Sequence, residues 1–196
     1  MTRRGWFIAA LWALVAVVAA PVLWIEVIRP QVVPAATSTI GRGDYTLTTT
    51  EGDTFTEASL KGPTAVFFGF THCPEVCPTT LGDIAGWQQA LKEEGRAPLD
   101  VYFVTVDPER DTPEVLGEYV SWAPGVVGVT GTPDEMEKAQ RAFRVFAQRV
   151  PLDGGGYTMD HSAFVLLFDE DGTLFEPIGY GEGFERAMEK LRRLTS

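Results

Sequence analysis

Residues 5 to 28 form a nearly unbroken apolar run whose single charge, Glu26, lies close to its end. A helix needs about 20 apolar residues to cross the hydrocarbon core of a bilayer, so this run is long enough to span one. Trp6 and Trp24 stand near its two ends, where aromatic side chains favour the interface, and Arg3 and Arg4 precede it. Basic flanks stay in the cytoplasm, which puts the chain from about residue 30 onward on the other side. A cleaved signal peptide is the rival reading. Ala19-Ala20 resembles a cleavage site, but Pro21 would follow the cut and the apolar run continues to Ile28. The expectation is therefore a retained single-pass anchor over residues 1–29, in the cytoplasmic membrane. Pro30, Pro34 and a Thr/Ser stretch then predict an extended tether over 30–43.

Beyond the tether, extended and helical patterns alternate. Tyr45–Thr49 and Thr54–Thr56 flank Glu51-Gly52-Asp53 like a hairpin. Thr64–Phe70 is a continuous apolar run of the kind that a strand buried on both faces shows. From Pro78 to about Glu94, Leu81, Ile84, Ala85, Gln88 and Leu91 recur at helical spacing, and Gly95 suits the helix end. Leu99–Val106 reads as a second buried strand, Pro113–Trp122 as a second helix and Val126–Val129 as a short strand. A third helix is expected over Pro133–Ala147, because Asp134 and Glu135 sit in its first turn, where the helix dipole favours acids. Ala163–Phe168 and Thr173–Ile178 read as a hairpin, and Phe184–Leu194 as a closing helix. This order describes one α/β domain over 44–196, a thioredoxin-like mixed sheet flanked by helices.

Charge narrows the partners. The chain carries 16 Lys+Arg against 27 Asp+Glu, a formal net charge of −11. Binding nucleic acid requires a basic face that releases counterions from phosphates, so nucleic acid is not an expected partner. The excess serves solubility or docking onto a basic partner.

The candidate chemistry is concentrated. The 196 residues hold only two cysteines and two histidines, and three of these four fall within Thr71-His72-Cys73-Pro74-Glu75-Val76-Cys77-Pro78. Cys73 follows a buried strand and Cys77 stands where a helix begins. A helix N-terminus stabilises thiolates through its dipole and free N–H groups. The predicted topology puts the pair in an oxidising compartment, so a structural disulfide is one reading, although closing so short a loop stabilises little. A redox pair is another, although redox motifs of thioredoxin type hold two intervening residues and this chain has three. A metal site is the third. His161 lies at the entrance to the strand Ala163–Phe168, which in a thioredoxin-like sheet runs beside the strand leading to Cys73. Two thiolates and an imidazole suit copper, as Cu(I) or Cu(II). A structural zinc site would want four protein ligands, and the spare candidate is His72.

At these residues the chain resembles the SCO/SenC family of copper-binding proteins. The resemblance rests on Phe68-Gly69-Phe70-Thr71-His72-Cys73-Pro74-Glu75-Val76-Cys77-Pro78-Thr79-Thr80-Leu81, then Val106-Asp107-Pro108-Glu109-Arg110-Asp111-Thr112-Pro113, then Asp160-His161-Ser162. It covers about residues 40–195. It implies a copper site made by Cys73, Cys77 and His161 on a thioredoxin-like fold, held to the membrane by one N-terminal helix with the domain on the periplasmic side. It implies a metallochaperone, rather than an enzyme with turnover, that delivers copper to the dinuclear copper centre of cytochrome c oxidase. The oxidase's copper-site subunit is then a partner, alongside other copper chaperones or thiol reductants. Asp107 and Asp160 are candidates to orient or charge-balance the site, or are simply turn-forming acids. Gly154-Gly155-Gly156 reads as a loop before His161 that opens for transfer. A thiol-disulfide reductase acting through Cys73 and Cys77 is the alternative, and a copper or redox sensor would use the same site. Thiol peroxidases share the fold, but their motif wants a threonine and a proline where this chain has Phe70 and Val66.

Overall fold

The computed structural model describes residues 39–196 and six positions of the N-terminal segment, Trp6, Trp12, Ala13, Val15, Ala16 and Val17, which are helical. The rest of the expected anchor and residues 30–38 of the expected tether lie outside the described residues. Among the described residues, no helix is long and apolar enough to cross a membrane. Residues 1–38 and 39–196 are separate units, and the second carries the sheet.

Six buried residues in a row, Thr64–Gly69, make β3, the strand around which the domain is built. Before it come β1 (Leu47–Thr49) and β2 (Thr54–Phe55), paired antiparallel across the turn predicted at Glu51-Gly52-Asp53. After it follow α1 (Val76–Glu93), β4 (Asp100–Thr105), α2 (Pro113–Val120), β5 (Val126–Thr130) and α3 (Pro133–Phe143). Next come β6 (Ala147–Pro151), β7 (Tyr157–His161), β8 (Phe164–Phe168), β9 (Leu174–Gly179) and α4 (Phe184–Leu194). Seven strands form one mixed sheet in the order β2-β1-β5-β4-β3-β8-β9, while β6 and β7 form a separate two-stranded hairpin. Within the large sheet β3, β4 and β5 are parallel, and β8 runs antiparallel to β3.

The helices form where the pattern placed them. Leu81, Ile84, Trp87 and Leu91 are the buried stripe of α1. Thr112 and Thr132 cap α2 and α3 with their hydroxyls, and each is followed by proline at the first helical position, where no N–H is needed. The third helix stops at Phe143 rather than reaching Ala147. Arg144 turns left-handed there, at φ 54°, and the chain becomes extended at Ala147. A hairpin thus occupies the stretch before His161. Gly155 and Gly156, at φ 88° and 78°, close its turn in a conformation that side chains with a Cβ rarely adopt.

Register decides which residues meet at the edge of the sheet. Phe67 of β3 stands opposite Val165 of β8. Continuing that register sets position 163 level with 69, and 161 level with 71. The end of β3 and the entry to β8 therefore converge on one spot.

Candidate metal centre

The convergence brings Cys73, Cys77 and His161 together. Their sulfur and imidazole nitrogen atoms all lie within 4.8 Å of one another. Both cysteines are free thiols, Cys73 half-buried and Cys77 fully buried.

The thiols owe their placement to the junction between β3 and α1. Phe70 and Thr71 leave the sheet, and Asp111 catches the turn. Its buried carboxylate accepts from Thr71 N at 3.1 Å, from Thr71 Oγ1 at 2.6 Å and from Thr105 Oγ1 at 2.5 Å. The N-cap residue of α1, Glu75, contributes no side-chain cap. The sulfur of Cys73 takes that part instead, accepting the Cys77 backbone N–H at 3.3 Å. This sulfur thus satisfies one of the free N–H groups at the helix end. Burial pushes the Cys77 thiol well above the usual cysteine range, so it is protonated at neutral pH until a metal displaces the proton.

His161 closes β7. Its Nδ1 lies 3.0 Å from the carbonyl oxygen of Ser162. A carbonyl only accepts, so Nδ1 carries the proton and Nε2 presents its lone pair towards the Cys77 sulfur, 3.8 Å away. Burial pulls the imidazole pKa below the ordinary histidine value; the Ser162 carbonyl and the charge of Asp160 act in the opposite direction. The ring is therefore neutral at pH 7, the form that ligates a metal. The edge of the ring meets Phe70, with centroids 5.7 Å apart at 90°.

The other sequence candidates fall around this cluster. Asp107 is buried and committed elsewhere, to the guanidinium of Arg110 and to the hydroxyl of Tyr157 at 2.9 Å. Asp160 is exposed and reaches the site through its charge on His161. His72 is exposed, hydrogen-bonded to Thr71 Oγ1 at 3.0 Å, and stands outside the three-residue cluster. Sequence reasoning missed Asp111 and Thr71, which set the turn, and the pairing of Arg110 with Tyr157. Asp111 was visible in the second motif, but nothing in linear sequence ties position 111 to position 71.

Two soft sulfurs and one imidazole, partly desolvated and with no fourth side chain in the cluster among the described residues, suit copper by ligand softness. A closed structural zinc site holds four ligands. The donor set therefore fits copper better than a closed structural zinc site.

Comparisons with known proteins agree with this geometry. A family model described as SCO1/SenC matches residues 34–196. Protein SCO2, mitochondrial, of Saccharomyces cerevisiae is 35% identical over 155 residues, covering 76% of this chain and 51% of that protein. The chain spans about half the length of the curated yeast relatives it matches. Among solved structures, Bradyrhizobium japonicum ScoI with copper bound superposes at a TM-score of 0.71 with 40% identity. The match covers 79% of this chain and 99% of that one. Yeast Sco1 with copper bound gives 0.73 and 33%, covering 79% and 87%.

Proposed function

The chain belongs to the SCO1/SenC family, and from that premise we propose that it is a copper carrier whose cargo is held by Cys73, Cys77 and His161. The observation that carries this reading is the meeting of three soft or borderline donors within 4.8 Å at the end of β3. Copper enters as the Cys77 proton leaves to solvent and as the His161 Nε2 lone pair, already free, turns to the ion. Release is ligand exchange. Donors of the recipient displace the imidazole first, since it is the neutral ligand on the outer hairpin, and the thiolates afterwards. The recipient is the dinuclear copper centre of cytochrome c oxidase. Residues 1–29 anchor the carrier in the cytoplasmic membrane, residues 30–43 tether it, and the domain works on the periplasmic side. Asp160 balances charge beside the imidazole.

One observation favours a second reading, a thiol-disulfide reductase. A half-exposed Cys73 beside a buried Cys77 with a raised pKa is an attacking thiol next to a resolving one. His161 has no part in that chemistry.

The two readings separate in one assay. Reduced, copper-loaded full-length protein is mixed with the copper-site subunit of the oxidase, its own cysteines either reduced beforehand or left as a disulfide. A carrier moves copper to the reduced recipient, and His161→Ala impairs the transfer. Reduction of the oxidised recipient with no copper movement, equally fast in His161→Ala, would establish the reductase in its place.

A further inference from the structure

The second sequence motif, Asp107 to Pro113, is only partly explained by the site, because Asp111 holds the thiol turn while Arg110 bonds to the β6–β7 hairpin. That hairpin carries His161 but pairs with no strand of the seven-stranded sheet. Beneath it lies an open cavity of about 260 Å³, lined among others by Val106, Asp107, Pro133, Met136, Ala147 and Met159. Apolar packing on that side is therefore incomplete. Ala147 and Met159 do pack against the core, and the rest of the hold on the hairpin comes from polar and ring contacts.

Among the described residues the polar ties run to one turn, apart from the Cys77–His161 contact itself. Arg110 Nη1 donates to the Tyr157 carbonyl at 3.0 Å, and its Nε pairs with the buried carboxylate of Asp107. The Tyr157 hydroxyl donates to the same carboxylate at 2.9 Å. The Tyr157 ring is held between two guanidinium groups, Arg110 at 3.8 Å and Arg149 at 4.0 Å from its centroid. Arg149 in turn pairs with Glu109 at 2.8 Å, but both are about half exposed, so that pair contributes little. Arg110 also lies over Phe70, 6.0 Å from its centroid, and Phe70 meets the edge of the His161 ring. One guanidinium thus links the exit from β3 to the hairpin that ends in His161.

We infer that Arg110, braced by Asp107 and stacked on Tyr157, is a positioning residue that holds the β6–β7 hairpin so that the His161 imidazole faces Cys73 and Cys77. It rests on the reading of His161 as a copper ligand. A planar guanidinium suits the task because it bonds a carboxylate and a carbonyl in its own plane while stacking on a ring; a lysine ammonium does only one of these at a time. Groups that orient a metal-binding histidine are worth about ten- to hundredfold in metal affinity.

The test compares full-length wild type with Arg110→Met, Arg110→Lys and Tyr157→Phe. Amide hydrogen exchange is first followed in the metal-free, reduced protein. Arg110→Met is expected to lose protection across residues 147–161 while β3 and β4 keep theirs, with Arg110→Lys and Tyr157→Phe intermediate. After loading with Cu(II), Arg110→Met should release copper to a chelator about tenfold faster and weaken the single-nitrogen hyperfine splitting from His161. Unchanged hairpin exchange with unchanged release overturns the inference. So does a loss of protection spread evenly over the sheet in every variant, which would make Arg110 a general stabiliser. If Arg110→Met unfolds, the same criteria apply to the two milder variants. Failure of wild type to bind copper would sink the carrier reading alone, since hairpin exchange is measured without metal.

Discussion

Burial acts in opposite directions on Cys77 and His161, and the pH dependence of metal binding follows. The Cys77 thiol is pushed up, so at neutral pH copper must displace its proton. The His161 imidazole is pulled down, so it competes with no proton there. Apparent copper affinity is therefore expected to fall by at least about tenfold per unit as pH drops from 8 to 6.5, from the single Cys77 proton alone. The slope steepens only below the ordinary histidine range, where the free imidazole charges. Competition titrations against a chelator of known pH dependence measure this, and an affinity flat across that range would contradict the assigned thiol. At this scale the three proposed ligands could be picked out from the sequence. Cys73, Cys77 and His161 stand out because the chain has so few such residues. Their helpers could not be. Threonines and aspartates are common, and only folding reveals that Asp111 lies buried between Thr71 and Thr105.

At the scale of elements, the junction between β3 and α1 leaves no spare room. A Cβ on Gly69 would stand 2.7 Å from the Phe103 ring and 2.8 Å from the Cys77 sulfur. Neither neighbour can yield easily, since Phe103 is wholly buried and Cys77 is fixed in the first turn of α1. Gly69→Ala is expected to cost about 1–3 kcal/mol of stability by overpacking. It should also weaken copper binding by moving the sulfur, whereas Gly82→Ala, where a Cβ meets open space, should leave binding unchanged. Urea unfolding and copper titration read the two effects separately; an unimpaired Gly69→Ala would mean the junction is looser than described. The helices α1 and α4 were readable because their buried residues recur at helical spacing, and β3 and β4 because they are largely continuous buried runs. The β6–β7 hairpin was not. Gln148, Arg149, Val150 and Pro151 are all exposed, so no apolar alternation marks a strand. The same exposure explains why the third helix seemed to run on to Ala147, when Arg144 in fact ends it.

For the molecule as a whole, the mixed sheet collects into one place residues that the sequence spreads from Cys73 to His161. Antiparallel pairing of β8 with β3 does most of this, since it returns the chain to the exit of the central strand. That pairing was anticipated from the resemblance and from the apolar run Ala163–Phe168, not from any local signal in His161. The formal charge of −11 leaves a surface suited to basic partners, which fits a carrier that approaches a protein rather than nucleic acid. The proposed carrier depends above all on one copper ion being held by two sulfurs and one imidazole. X-ray absorption at the copper edge, on the copper-loaded full-length chain, tests it most directly beside Cys73→Ser, Cys77→Ser and His161→Ala. The expected result is one copper per chain with two sulfur scatterers and one imidazole, a sulfur lost in each cysteine variant and the imidazole lost in His161→Ala. A copper environment that keeps its imidazole in His161→Ala, or keeps both sulfurs when either cysteine is replaced, would contradict it.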